Sequence, residues 1–262
     1  MVGHFAEEGL RAASFTSEAL LHPSKPGDYG FSRAYDRDKI WDYFGREANE
    51  AKRKRFQCGF GALSKCFDRE ESFPWRDIPE GSIVCDVAGR TGNVSLEIAS
   101  ANPHLRFVVQ DQEKVIEQMA VPFWETPGAK PYKDRVELIA HDFFDPQPVE
   151  GAAVYLIRLA LQVVVKILTN VAAAASPSSR LVIVEAAYES LAAPGAYPAQ
   201  STIPYLLDLQ MLTMINVTER LEQQYKRLAL EAGWKLAKTW KTGSDGLTDG
   251  TFRHYEFVLA AC

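Results

Sequence analysis

The sequence predicts an α/β protein, a seven-stranded doubly wound sheet with a short helical segment ahead of it. Three observations point there. From Ile83 onward, short Val/Ile-rich runs alternate with amphipathic stretches, the pattern of parallel strands covered on both faces. The chain closes on two more strand-like runs around the turn-rich GSDGLTDG, an antiparallel hairpin at the sheet edge. Its 262 residues, 47% of them hydrophobic, suffice for one α/β domain plus an appendage.

The elements follow in order. Residues 1–37 contain the Gly/Pro/Ser-rich HPSKPGDYGFS and read as a short helix followed by an irregular arm. Asp38 to Phe67 has helical spacing, with Ile40, Trp41 and Phe44 on one face and Phe56, Phe60 and Leu63 on another. We therefore expect 1–70 to be a helical arm ahead of an α/β domain at 71–262. Strands are expected at Ile83–Val87, Arg106–Gln110, Val136–Ala140, Ala153–Ile157 and Leu181–Glu185, with helices near 93–101, 112–124 and 163–175. Two helices, Tyr205–Ile215 and Glu219–Ala232, precede the final strands Lys235–Thr242 and Phe252–Ala260, the second helix ending at the C-capping Gly233.

Composition removes several functions. The chain carries 29 Lys+Arg against 34 Asp+Glu, a net charge of −5, so it lacks the basic balance of a nucleic-acid binder. The run Lys52 to Arg55 reads as a solvated helix face. The most apolar stretch, Ala152 to Leu168, is interrupted by Arg158, Gln162 and Lys166, too polar for a membrane span. The opening MVGHFAEEGLRAA has acids where a signal peptide has a basic end, so a cytoplasmic location is expected. Cys58, Cys66, Cys85 and Cys262 show no zinc spacing and read as reduced, buried thiols; no metal site is expected.

Three successive strand ends carry the chemistry. The first runs into Asp86-Val87-Ala88-Gly89-Arg90-Thr91-Gly92 and then a helix, a small-residue turn that lets backbone N–H groups approach a ligand. The second ends in Asp111, placed to accept both hydroxyls of a ribose. The third ends in Asp142-Phe143-Phe144, a carboxylate beside aromatics, suited to an adenine amino group and ring face.

The segments CDVAGRTGNVSLEIA, RFVVQDQEKVIEQ, DRVELIAHDFFDPQP and VYLIRLALQ, with the later DLQMLTMINVTERLEQQYKRLALEAGWKL, resemble the class I S-adenosylmethionine (SAM)-dependent methyltransferases. More narrowly, they are similar to the fungal and plant small-molecule O-methyltransferase family over about residues 30–262. The resemblance implies a Rossmann-like fold and SAM contacts from Asp86, Gly89, Gly92, Asp111, Asp142, Phe143 and Arg158. It also implies a shortened front end, where the family usually has a winged-helix dimerisation domain, with the arm 1–70 as a substrate cap on a SAM-binding catalytic domain at 71–262, and a homodimer. Ala88 and Arg90 stand at two positions where the family usually has glycine. Ala88 costs little at a negative φ; Arg90 is tolerable if its side chain points outward or pairs with the cofactor's carboxylate.

At the reaction centre the departure is larger. The family's His-Asp-Trp general-base segment matches Gln162 here, and the chain resumes at Val163 with the following residues deleted. An amide accepts no proton at neutral pH. Glu185 and Glu219 match the family acids that orient the His; for Glu219 the plain alternative is a first-turn acid on a helix N-capped by Thr218. His141 and His254 read as structural, and His4, His22 and His104 as terminal or loop residues. Met211 and Met214, with Tyr205, Leu207, Trp41, Phe44 and Phe31, are expected to wall an acceptor pocket for an aromatic, polyketide or terpenoid substrate. The favoured reading is a SAM-dependent O-methyltransferase of secondary metabolism that works by proximity, without the His base. A non-methylating cyclase, dehydratase or pericyclase on the same fold, and a non-catalytic partner protein, stay open at this point.

Overall fold

A computed structural model describes residues 2–24, 27–56, 59, 73–160, 165–186, 203–241 and 252–260. Its helices are α1 (Leu10–Leu21), α2 (Gly30–Ala34), α3 (Ile40–Gly45), α4 (Asn93–Ala101), α5 (Val165–Ala174), α6 (Ile203–Ile215) and α7 (Glu222–Glu231), besides shorter turns. The strands are β1 (Ile83–Val87), β2 (Arg106–Asp111), β3 (Val136–Ala140), β4 (Val154–Arg158), β5 (Arg180–Ala186), β6 (Trp234–Lys241) and β7 (Phe252–Leu259). They form one sheet in the order β3-β2-β1-β4-β5-β7-β6. β1 to β5 are parallel, and β7 runs antiparallel between β5 and β6. The expected α/β class is therefore present, with strand boundaries close to those read from the sequence.

The chain divides into two compact units, Met1–Phe67 with Ala192–Glu219, and Asp68–Leu191 with Arg220–Cys262. In the second, alternate residues of each strand serve opposite faces of the sheet. Val87, Tyr155, Ile157, Leu181, Ile183 and Phe257 pack against Ile167, Leu168 and Val171 of α5 and Tyr225 of α7. On the other face, Val84, Leu156, Val182 and Val184 meet Val94 and Ile98 of α4 together with Phe73 and Trp75. Burial on both faces explains why these strands are largely apolar rather than alternating with polar residues. The guanidinium of Arg135, just before β3, donates to the carbonyls of Ala99 (2.7 Å), Leu105 (2.9 Å) and Asn102 (3.1 Å), satisfying the C-terminal end of α4.

Several local expectations need correction. The N-terminal helix is longer than a short one: residues 2–21 are helical throughout, with a π turn at Phe5–Gly9. The stretch from Asp38 is not one helix, because Arg46 turns extended (φ −70°, ψ 138°) between α3 and a 3₁₀ turn at Glu47–Asn49. Trp41 does not share the buried face of Ile40 and Phe44; it is 61% exposed while they are buried. The expected helix at 112–124 is an α turn, a π turn at Ile116–Ala120 and an α turn in succession. The helix expected from Glu219 starts at Glu222, after an extended Leu221 whose N–H donates to the Gln224 side chain at 2.7 Å. Glu219 is thus not a first-turn acid. His4 is not a loose terminal residue either: it is buried, with Nδ1 3.0 Å from a Glu8 carboxylate oxygen and its ring edge-on to Phe56. Burial, the larger effect, and the neighbouring Glu8 oppose each other there, and burial leaves its basicity below the ordinary value. Cys85 is buried as expected; Cys58, Cys66 and Cys262, like Phe60 and Leu63, lie outside the described residues.

Candidate active site

The site builds from the turn after β1. Asp86 is buried and accepts a hydrogen bond from Ser95 Oγ of α4 at 2.7 Å. A Cβ on Gly89 would come within 2.6–2.9 Å of the Asp86 carboxyl atoms, so glycine is required there for packing against the acid. Gly92 has φ +77°, and a Cβ would sit 2.9 Å from Val109 and 3.0 Å from the Trp124 ring nitrogen. Trp124, itself buried, donates that N–H to the Thr91 carbonyl at 2.9 Å and props the turn from beneath. Between these two glycines and the strand, Ala88 (φ +59°) and Arg90 (φ +57°) occupy the left-handed region. The expectation of a negative φ at Ala88 is therefore wrong, and each of these residues carries a local cost of about 1–2 kcal/mol. Leu159, just past β4, is also left-handed (φ +46°), so strained backbone collects at the carboxyl ends of the two central strands.

Asp111 ends β2 beside this turn. One carboxylate oxygen accepts the Arg90 backbone N–H at 2.9 Å and the other the Gln112 N–H at 2.8 Å. Each oxygen keeps a further lone pair for a hydroxyl. Burial raises the Asp111 carboxyl above its ordinary range, and the two N–H donors and the nearby Arg90 only partly offset that. The Arg90 guanidinium is itself desolvated, which makes it a weaker base than usual; Asp111 counteracts this and Arg158 reinforces it.

Val87, Ala88, Gln110, Asp111, Gln112, His141 and Phe143 line a crevice of about 320 Å³ at the carboxyl ends of β1, β2 and β3. That volume includes space open to solvent. A crevice outside the strand ends, where the order turns from β2-β1 to β1-β4, is where doubly wound sheets bind ligands. Gln110, part of that lining, and Gln147 hold each other by reciprocal side-chain hydrogen bonds of 2.8 and 2.9 Å. The His141 ring lines the crevice, and its buried Nε2 has no hydrogen-bond partner among the described residues. Reading His141 as structural missed this; its place one residue after a strand end was the available signal. Asp142 is exposed and uses one oxygen to accept the Phe144 N–H at 3.0 Å.

The expected catalytic residues fall in different parts of the chain. Gln162 lies outside the described residues. Glu185 is wholly buried in β5, with Arg253 of β7 as its register partner. His254, one step along, is buried as well; desolvation first, and then Arg158, push its pKa down to about 3, so the ring is neutral and a weak proton acceptor. In the other unit, the Glu219 N–H donates to Asp208 of α6 at 2.6 Å. Phe31 and Met214 are sealed in that unit's own core, whereas Met211 is half-buried and Trp41 exposed.

The chemistry of the crevice fits a nucleoside: a carboxylate for a vicinal diol, an aromatic flank, an open imidazole nitrogen and a turn with no room for extra side-chain atoms at Gly89 and Gly92. A family model described as O-methyltransferase domain matches residues 20–235. The O-methyltransferase xanE of Aspergillus fumigatus is 36% identical over 268 aligned residues, covering 96% of this chain and 60% of that protein. This chain therefore spans about three fifths of that relative's length. Among solved structures, the N,N-8-amino-8-demethyl-D-riboflavin dimethyltransferase RosA of Streptomyces davawensis superposes with a TM-score of 0.78 at 22% identity, covering 98% of this chain and 71% of that one. LepI, in a complex with SAM, superposes with a TM-score of 0.72 at 22% identity, covering 98% and 65%. At those identities the two structures speak for the fold. On the family match and the xanE likeness, the chain belongs to the O-methyltransferase domain family.

Proposed function

We propose that the crevice binds SAM and that the protein methylates an oxygen of a small secondary metabolite without a side-chain base at residue 162. The observation that carries this reading is Asp111, held by two backbone N–H groups beside a turn with no room for extra side-chain atoms, in a chain of this family. Bound SAM supplies a methyl group on a sulfonium, open to attack by an oxygen nucleophile. Asp111 accepts the ribose hydroxyls, Phe143 flanks the adenine and His141 Nε2 offers it a hydrogen-bonding edge. Gly89 and Gly92 keep the turn free of side-chain bulk, and Arg158 contributes positive charge at the end of β4. Met211, Met214, Trp41 and Phe31 are our candidates for shaping acceptor choice, Phe31 and Met214 through the packing of their own unit.

No described residue supplies an evident replacement base. His254 is held neutral and weakly basic, and an amide at position 162 takes no proton. A positioned general base is worth about 10²–10⁴-fold, whereas orientation of the reactants supplies on the order of 7–11 kcal/mol. The reading therefore requires an acceptor that arrives ionised, such as a carboxylate or an acidic enol or phenol. Mass spectrometry on polyphenol, polyketide and terpenoid precursors, with and without SAM, tests it. A product one methylene heavier that requires SAM is the expected result. An isomer of unchanged mass formed without SAM consumption would overturn it in favour of rearrangement chemistry, and no product from any precursor would overturn it in favour of a non-catalytic role.

A further inference from the structure

The turn that follows β3 reaches the crevice at Phe143, one of its lining residues, and a side chain from outside the crevice holds that turn. Residues 142–145 are bonded among themselves: the Asp145 N–H donates to the Asp142 carbonyl at 2.8 Å, and the Phe144 N–H to the Asp142 side chain at 3.0 Å. These bonds fix the shape of the turn. Its place is fixed from α5, where the side-chain amide of Asn170 donates to the carbonyls of Asp145 (2.8 Å) and Phe143 (3.2 Å). Both partners are acceptors only, so the amide nitrogen faces the turn, and its two hydrogens match the two carbonyls. Four residues earlier on the same helix face, Lys166 Nζ lies 5.9 Å from the centre of the Phe144 ring. Phe144 in turn meets Phe143 edge to face, with ring centres 4.8 Å apart. The helix is a firm support, since Ile167, Leu168 and Val171 are buried in the sheet's core. Asparagine is a poor helix former, and in the middle of α5 it gives up local preference for these two bonds.

We propose that Asn170 is a positioning residue for the nucleobase end of the crevice: by holding two carbonyls of the 142–145 turn, it sets the Phe143 ring on the crevice wall before the cofactor arrives. This rests on the proposal that the crevice is the cofactor site. Asn170 is not part of the crevice lining, so it acts through Phe143. A ring already in place leaves less to be ordered when a base packs against it, and affinity gains by that preorganisation.

Calorimetric titration of the demethylated product, S-adenosylhomocysteine, onto the full chain tests the inference without any need for turnover. Asn170→Ala removes the donor while favouring the helix, and it should bind about three- to tenfold more weakly than the parent protein. Asn170→Asp, of the same shape but without a donor in its ionised form, should lose at least as much. Repeating Asn170→Ala beside Phe143→Leu separates positioning from a general loosening of the fold. With the ring gone there is nothing left for Asn170 to position, so the substitution should then cost less than about twofold. Variants of Asn170 that bind as tightly as a parent that does bind would overturn the inference and leave the cofactor site standing. An equal loss with and without the Phe143 ring, the mark of a structural role alone, would do the same. Absence of binding in the parent would overturn the cofactor reading and the inference with it.

Discussion

Asp86 and Gly89 are a coupled pair: the acid, tied to Ser95, occupies the space a side chain at residue 89 would need. Gly89→Ala should therefore lower stability by about 1–3 kcal/mol through overpacking alone, measured as a fall in the urea midpoint. Ala88→Gly goes the other way. It relieves a left-handed alanine and should raise stability by up to about 1 kcal/mol, with the entropy of the unfolded glycine chain offsetting the rest. The two substitutions probe the sign of φ along the turn, which a run of small residues in the sequence does not display. Glycine at 88 and 90 would have advertised it; alanine and arginine conceal it. At residue 162 the chemistry can be read although the position lies outside the described residues. Gln162→His should raise methyl transfer to a weakly acidic phenol by up to about 10²-fold and leave transfer to an already ionised acceptor little changed, in steady-state assays that follow methylated product.

Strands were easier to read than helices, and for a physical reason. β1, β4 and β5 are buried on both faces, so Ile83–Val87 and its counterparts carry a dominant apolar signal, broken within β1 only by Asp86, that survives an error of register. A helical repeat says less. Residues 112–124 have helical periodicity, but that cannot distinguish an α turn from the π turn at Ile116–Ala120. Thr218-Glu219 looks like a helix start, yet the cap that forms is Gln224 folding back to Leu221. Trp41 fits an apolar stripe, but α3 is six residues long and buries only Ile40, Tyr43 and Phe44. In β7, His254 makes a testable contribution to the acid limb of stability. The unfolded chain takes up its proton near pH 6.5, and the folded one not until about pH 3. Between those values the unfolded state binds more protons, so stability falls as pH falls, by about 1.4 kcal/mol per pH unit from this group, with no contribution to the slope above pH 7. Urea midpoints recorded from pH 7 to pH 4 should show a shallower decline in His254→Asn; an unchanged slope would mean that the ring titrates normally.

For the molecule as a whole, one sheet sets the tips of β1, β2 and β3 side by side, and Ala88, Asp111 and Phe143 at those tips line a single crevice; the neighbourhood was legible because each of the three strand ends has an acid of its own, Asp86, Asp111 and Asp142. Burial decided what the sequence could not show. It left Asp142 in solvent, enclosed Glu185 opposite Arg253, and placed His141 on the crevice wall with an open nitrogen. The proposed class of reaction rests on the family likeness, and the crevice offers residues that would serve it. The central claim is that Asp111 holds the ribose of a sulfonium nucleoside. It is tested most directly by calorimetric titration of S-adenosylhomocysteine onto the parent protein and onto Asp111→Asn. One-to-one binding that weakens by about tenfold or more in Asp111→Asn is the predicted result, the loss expected when a charged acceptor of two hydroxyls becomes an amide. Equal affinity in the two proteins, or no heat in either, would contradict it.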